Sequence, residues 1–382
     1  MTTTIIGAGP VGCFLARKLA RKGIPVTIVE EHEKVGEPLQ CSGLVSGNLL
    51  DVVTVPENLI VNHIHHAKFF FGDKEIDFKG KAFVLDRIGF DRYMYEKAAL
   101  AGVNFHFGEH YVDYAYSNNR IMANTNLRKI DSDFLVGADG PGSTVGKQIG
   151  VFNNVIPGLQ VRAKGKFEPD TVELHFGEYA PEFFAWVVPE SETVARIGLA
   201  TRSDITEKLK KFLTYKGIKT FIDRQAGLIP MDYHEDFVAD RVALVGDAAS
   251  QTKATTGGGL TTGLASAKIL SHAIIKGFEE NSFDRDFLEE HYVGAWKHGI
   301  GTELNKAYAI RKVMDTFDAK DYDELYKVLK DGSFKRKLEE NVDMEMYSKF
   351  LKKSLMTPAA FMFGIKILFK HPELFKHLFS LL

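Results

Sequence analysis

Cysteine is scarce: Cys13 and Cys41 are the only two in 382 residues. That excludes a disulfide-rich secreted scaffold and a four-thiolate metal site built from this chain. An excess of charge is lacking too, with 48 Lys and Arg against 50 Asp and Glu. A dedicated nucleic-acid binder needs a basic surface, so nucleic acid is not expected as a partner. No apolar run reaches the roughly 18 residues of a spanning helix. The start, Met1-Thr2-Thr3-Thr4, does not have the charged-then-apolar layout of a secretory signal. These lacks predict a cytoplasmic globular protein, long enough for a large core or two joined domains. Tryptophan occurs only twice, whereas Phe is in surplus at 29 against 13 Tyr.

The first thirty residues are the most informative. A β-branched run, Thr2 to Ile6, leads into Gly7-Ala8-Gly9-Pro10-Val11-Gly12. Phe14, Leu15 and Leu19 then recur at helical spacing, Gly23 ends the helix, and Pro25 to Val29 reads as a second strand ending at Glu30. A G-x-G-x-x-G between strand and helix is a dinucleotide fingerprint. Gly7 permits the tight turn, Gly9 lets a pyrophosphate approach the backbone, and Gly12 lets helix and strand pack closely. The helix N-terminus offers unpaired N–H groups to phosphate. Glu30 is placed to accept from ribose hydroxyls. The fingerprint alone does not separate FAD from NAD.

Two later segments have the same character. Phe134-Leu135-Val136-Gly137 runs into Asp139-Gly140, and Val242-Ala243-Leu244-Val245 runs into Gly246-Asp247. A carboxylate at the C-terminal end of a parallel strand faces the crevice where ligands bind in such sheets. Gly257-Gly258-Gly259-Leu260 opens an apolar helix and supplies a second cradle of backbone N–H groups.

Fingerprint, Asp-Gly and Gly-Asp, in this order, resemble the FAD-dependent enzymes of the p-hydroxybenzoate hydroxylase fold. Within them the chain is most similar to the geranylgeranyl reductase family, flavoenzymes that saturate isoprenoid chains. Three stretches carry the narrower likeness: Gly36-Glu37-Pro38-Leu39-Gln40-Cys41-Ser42-Gly43-Leu44-Val45-Ser46, Phe184-Ala185-Trp186-Val187-Val188-Pro189, and Gly246-Asp247-Ala248-Ala249 through Gly259. It spans about the first 275 residues. The resemblance implies that Gly7, Gly9, Gly12 and Glu30 hold the ADP half of FAD and that Arg87 lies near the flavin linker. It also implies that Asp139 and Gly140 run along the cofactor, that Gly246 and Asp247 meet ribitol or pyrophosphate, and that Gly257 to Leu260 face the isoalloxazine edge. The family's substrate motif is roughly Tyr-x-Trp-x-Phe-Pro. Here Phe184 and Val188 replace the Tyr and Phe, Trp186 and Pro189 are kept, and Ala254 stands where a proline often precedes the glycines.

The implied fold class is α/β: a Rossmann-type FAD-binding domain (1–45, 80–150 and 240–275) interleaved with an antiparallel-sheet substrate domain (46–79 and 151–239). A helical C-terminal region, 276–382, follows. Period-two alternation predicts strands over 159–163, 171–176, 183–188 and 194–201, forming an antiparallel meander. Residues 205–216 read as a helix. Residues 349–382 carry six Lys against one acid, Glu373, interleaved with Phe and Leu. Such a basic amphipathic segment either lies in a membrane interface or packs on the body with its Lys in water.

The implied activity is FAD-dependent reduction of C=C bonds in isoprenoid chains, geranylgeranyl lipid precursors of archaeal type included. An isolated alkene accepts hydride poorly, so a proton must reach the neighbouring carbon. Cys41 is the candidate donor and, with Phe184, Trp186, Pro189 and His175, a candidate substrate contact; Cys13 reads as core. No second dinucleotide loop is visible, so electrons are expected from visiting NAD(P)H or from a carrier protein such as ferredoxin. His63, His65 and His66 read as a strand or loop surface, and no metal is expected. The rival readings are a flavin-dependent monooxygenase of the same fold and a non-catalytic flavin- or prenyl-lipid-binding protein.

Overall fold

A computed structural model describes residues 1–341, 347–348 and 357–379. The run Thr3–Ile6 is a strand buried along its whole length, Pro10–Ala20 is a helix with proline in its first turn, and Val26–Val29 returns parallel to the first strand. Proline suits that first turn because it has no N–H to leave unpaired. Phe134–Gly137 and Val242–Leu244 join the same sheet in parallel. The order is Val238–Ala239, Val242–Leu244, Phe134–Gly137, Thr3–Ile6, Val26–Val29, Asn104–His106. Only the first of these is antiparallel to its neighbour. The parallel register brings the loops after Ile6, Gly137 and Leu244 to one end of the sheet. Those loops carry Gly9, Asp139 and Asp247.

The second sheet has eight strands, in the order Phe221–Pro230, Val155–Lys164, Val194–Ala200, Ala180–Pro189, Thr171–Gly177, Ile60–Phe71, Lys74–Leu85, Leu44–Ser46. All four strands expected as a meander are present, but the meander is a partial one. Thr171–Gly177, Ala180–Pro189 and Val194–Ala200 follow one another across the sheet, whereas Val155–Lys164 sits beyond Val194–Ala200 and pairs there with Phe221–Pro230. Thr171–Gly177 pairs in parallel with Ile60–Phe71, so the sheet is mixed. Pairing between distant segments is not written in local alternation. Lys74–Leu85 runs unbroken through position 79/80, where the two layers were expected to divide.

A three-stranded antiparallel sheet, Tyr111–Ser117, Arg120–Thr125 and Lys129–Ser132, has no counterpart in the sequence reading. Helix Ile205–Tyr215 lays Leu209 and Phe212 on one face of the large sheet. Helix Leu260–Glu280 joins helix Pro10–Ala20 in the nucleotide-layer core.

Among the described residues no strand follows Val242–Leu244. Helix Pro358–Lys370 packs on helix Ala319–Lys330, with Lys366 2.8 Å from Glu324 and Lys370 2.9 Å from Asp318. These two tail lysines therefore face acids of their own chain. Phe361, Met362, Phe369 and Phe375 are exposed. Lys349, Lys352 and Lys353 of the basic stretch lie outside the described residues. No described helix is long and apolar enough to cross a membrane.

Candidate functional site

The first half of the site is made of backbone. Gly7 has φ +105°, and a Cβ there would lie 2.3 Å from the Ala138 carbonyl oxygen. A Cβ at Gly12 would lie 2.2 Å from the Gly7 carbonyl oxygen. Both are glycine because strand, loop and helix leave no room. Gly9 differs: nothing lies within 4 Å of its Cβ position, and no side chain caps the helix it begins. An open space in front of uncapped first-turn N–H groups is what an anionic diphosphate needs. At its rim, Glu30 accepts from the Ala8 N–H at 2.7 Å and the His32 N–H at 2.9 Å. The carboxylate is thus already oriented toward the loop.

A second cradle faces the first. Gly257 has φ +70°, and the helix beginning at Leu260 has no side-chain cap. A Cβ at Gly259 would lie 2.6 Å from Asp247 Oδ1, which accepts from Thr252 Oγ1 at 2.7 Å. Burial pushes the Asp247 carboxyl above its usual range, against the pull of Thr252 and of the Arg87 charge. Asp86 caps helix Arg87–Ala99 by accepting from the Gly89 N–H at 3.0 Å, which fixes Arg87 in the first turn. Arg87 donates to Asp91 at 3.1–3.2 Å, and the Cys41 sulfur accepts from the Gly43 N–H at 3.3 Å. Burial opposes the Arg87 charge, yet Asp91 holds the guanidinium firmly protonated.

Asp139 stands just past the end of strand Phe134–Gly137. Its Oδ1 accepts from Ser143 Oγ at 2.6 Å, and its Oδ2 from the N–H groups of Thr144 and Val145 at 2.7 and 3.2 Å. Both oxygens are engaged at the start of helix Thr144–Gln148, so Asp139 shapes the turn. Gly140, with φ +73° and open space at its Cβ position, presents backbone instead.

Beside the Gly257 loop lies a cavity of about 180 Å³, walled by Cys41, Leu174, Phe183, Phe184, Trp186 and Gly257 among others. Among the described residues every other lining side chain is also uncharged, the polar ones being Gln40, Ser42, Gln160, Gln225 and Thr256. Phe184 and Trp186 meet there because alternate residues of Ala180–Pro189 share a face. The structure thus brings together Cys41, Phe184, Trp186 and the Gly257 loop.

It does not bring His175 or Pro189 to that cavity. His175 lies on the opposite face of its strand from Leu174, stacked on Phe70 at 4.3 Å and edge-on to Phe212 at 4.9 Å. Its Nε2 is 2.8 Å from Glu173 Oε2, and burial holds the imidazole below its ordinary value despite that carboxylate. Pro189 ends its strand outside the cavity wall, and its carbonyl accepts from Asn62 Nδ2 at 2.8 Å. Cys13 is fully buried, its thiol donating to the Ala8 carbonyl at 3.2 Å.

Gln160, Glu190, Arg196, Gly198 and Gln225 escape the sequence reading. Gln225, Gln160, Gly198 and Trp186 stand side by side across four neighbouring strands. Trp186 Nε1 donates to Gln160 Oε1 at 3.1 Å, and Gln160 Nε2 donates to the Cys41 carbonyl at 3.0 Å. Arg196 Nη1 reaches the same carbonyl at 3.1 Å, while its Nε donates to Glu190 at 2.7 Å. Gln160, Glu190 and Arg196 are all buried. The available signal was an arginine inside the otherwise apolar strand Val194–Ala200.

Residues 1–160 match a family model described as an FAD binding domain. The chain is 27% identical over 344 residues to an uncharacterized protein of Methanocaldococcus jannaschii, covering 82% of this chain and 85% of the relative. It is 25% identical over 362 residues to the digeranylgeranylglycerophospholipid reductase of Methanosarcina acetivorans, covering 86% and 88%. A geranylgeranyl bacteriochlorophyll reductase-like protein of Thermoplasma acidophilum superposes with TM-score 0.82 at 20% identity, over 100% of this chain and 99% of that one. A flavin-dependent brominase superposes with TM-score 0.67 at 16% identity, over 97% and 99%. At such identities the superpositions show the fold. The open Gly9 cradle and the match over residues 1–160 agree on an FAD-binding domain, and over more than four-fifths of its length the chain is similar to a digeranylgeranylglycerophospholipid reductase.

Proposed function

We propose that the protein reduces C=C bonds of isoprenoid chains, with geranylgeranyl groups of membrane-lipid precursors as the substrate class. The observation that carries this reading is the cavity beside the Gly257 loop, largely aromatic and aliphatic and, among the described residues, without a charged side chain on its wall. A neutral hydrocarbon loses no hydrogen bonds on entering such a space, whereas a charged substrate group would be left unpaired. Phe184 and Val188 both line it, so the departures from the family motif lie on the substrate surface itself. The names of the curated relatives support the same class.

Reduced FAD, when bound, supplies hydride chemistry. Gly7, Gly9, Gly12, Glu30, Gly140, Asp247 and the Gly257–Leu260 cradle are the residues that would hold it. The walls formed by Phe183, Phe184 and Trp186 hold the alkene and exclude water. Among the described residues Cys41 carries the one titratable side chain on the wall, and the Gly43 N–H holds its sulfur at 3.3 Å. We assign the proton for the second alkene carbon to that thiol. Electrons come from NAD(P)H or a small carrier protein of the ferredoxin kind. The exposed Phe361, Met362, Phe369 and Phe375 support a peripheral contact with the membrane that holds such substrates.

The test is anaerobic turnover of a geranylgeranyl substrate by chemically reduced protein, followed by mass spectrometry. A hydrogen pair gained per double bond is expected. No saturated product there, together with substrate-stimulated oxygen uptake in a parallel aerobic assay with NAD(P)H, points to a monooxygenase instead.

A further inference from the structure

We infer that Gln160 and Arg196 are positioning residues, a two-pronged clamp on the Cys41 carbonyl that sets the thiol and the Trp186 indole against one another. As a statement about catalysis it rests on the proposed use of this cavity; as a statement about Cys41 it does not.

The geometry is a chain of dependencies. Cys41 and Ser42 have no strand partner of their own, since backbone pairing begins at Gly43, whose carbonyl accepts from the Leu85 N–H at 2.9 Å, and continues over Leu44–Ser46. Two donors hold the segment from below, Gln160 Nε2 at 3.0 Å and Arg196 Nη1 at 3.1 Å, both on the Cys41 carbonyl oxygen. Arg196 is itself fixed by Glu190, which also accepts from Arg162 Nε at 2.7 Å. Gln160 is fixed from both sides: Gln225 Oε1 accepts from its Nε2 at 2.7 Å, and its Oε1 receives the Trp186 N–H at 3.1 Å.

Two glycines make room for the clamp. Gly198 stands between Gln160 and Trp186 in register, and a Cβ there would lie 2.4 Å from Gln160 Cβ and 2.7 Å from Trp186 Cζ2. A Cβ at Gly43 would lie 2.7 Å from Arg196 Nη1. With the carbonyl pinned to the sheet, the Cys41 sulfur accepts from the Gly43 N–H at 3.3 Å. One amide side chain therefore joins a cavity wall, Trp186, to the loop bearing the thiol.

A buried polar group with every bond made specifies one arrangement, and removing one partner loosens the rest. The experiment compares wild type, Gln160→Leu and Arg196→Lys as purified, reading iodoacetamide labelling of Cys41 and Cys13 separately by peptide mass spectrometry. Loss of either prong frees the segment, so Cys41 labelling is expected to accelerate about fivefold in both variants, the size of one lost hydrogen bond. Cys13 stays unlabelled in both. Tryptophan emission shifts in Gln160→Leu and not in Arg196→Lys, because only Gln160 touches the indole. Wild-type Cys41 labelling in either folded variant overturns the clamp. So does Cys13 labelling in step with Cys41, which reports general loosening. Should Gln160→Leu fail to fold, Arg196→Lys decides alone. Absence of prenyl turnover in wild type, with these labelling rates as expected, would remove the catalytic reading and leave the clamp standing.

Discussion

The two sheets of this molecule do different work with different material. The parallel sheet builds its half of the site from backbone: glycines with no room for a Cβ, uncapped helix starts, and carboxylates at strand ends. The large mixed sheet builds its half from side chains that meet across strands, such as Trp186 with Gln160 and Arg196 with Glu190. A backbone site depends on residue type at fixed short spacing. A side-chain site depends on register between distant segments. Substitutions should therefore fail in different ways in the two halves.

The sharpest contrast lies within the glycine loop. Gly12→Ala places a methyl 2.2 Å from the Gly7 carbonyl oxygen and should cost more than about 4 kcal/mol, leaving little folded protein by circular dichroism. Gly9→Ala meets open space and should fold normally while flavin absorbance in the purified protein falls sharply. Equal folding defects in both would end the distinction between a packing glycine and a ligand-facing one.

In the large sheet the expected losses are smaller and spare the flavin. Trp186→Ala should cost about 3–5 kcal/mol in urea unfolding and abolish prenyl turnover, with FAD still bound. Gly198→Ala should cost about 1–3 kcal/mol through overpacking against Gln160 and Trp186. Loss of FAD in either variant, at a temperature where it is folded, would show that the halves are not separable in this way.

Two milder changes refine the picture. Glu30→Ala removes the acceptor at the cradle rim and should weaken FAD retention about tenfold without unfolding the protein, measured by equilibrium dialysis. His175→Phe tests the far face of the large sheet. Burial keeps the imidazole below its ordinary value, so the unfolded chain takes up its proton first as pH falls. Native stability should thus decline below about pH 6.5. The variant should lose less stability than wild type between about pH 7 and 5, by under about 1 kcal/mol, with turnover at neutral pH unchanged. A turnover defect there would restore His175 to the substrate side.

Much of the nucleotide half is legible in the sequence because steric demands fix residue types locally. Gly7, Gly12 and the Asp-Gly and Gly-Asp strand ends all fall where spacing predicts. Asp139 shows the limit: its place at the strand end is written in the sequence, but its capture by Ser143 and Thr144 is decided by the next turn. His175 shows another. Alternation sorts a strand into two faces and says nothing about which face receives a helix, and here helix Ile205–Tyr215 covers the histidine. Strand order is further out of reach, since Val155–Lys164 takes its partners from segments 30 or more residues away. The clamp lay furthest from view: Gln160 and Arg196 acquire meaning only when Gly198 is seen between Gln160 and Trp186.

The central claim is that this cavity passes reducing equivalents to a neutral isoprenoid chain. Its most direct test is to reduce the FAD-loaded protein anaerobically, add a geranylgeranyl lipid, and follow the flavin absorbance. The account predicts that flavin reoxidises in step with saturation of the lipid in wild type, and that Trp186→Ala with full FAD occupancy does neither. Reduced flavin that persists unchanged in the presence of the lipid would contradict it.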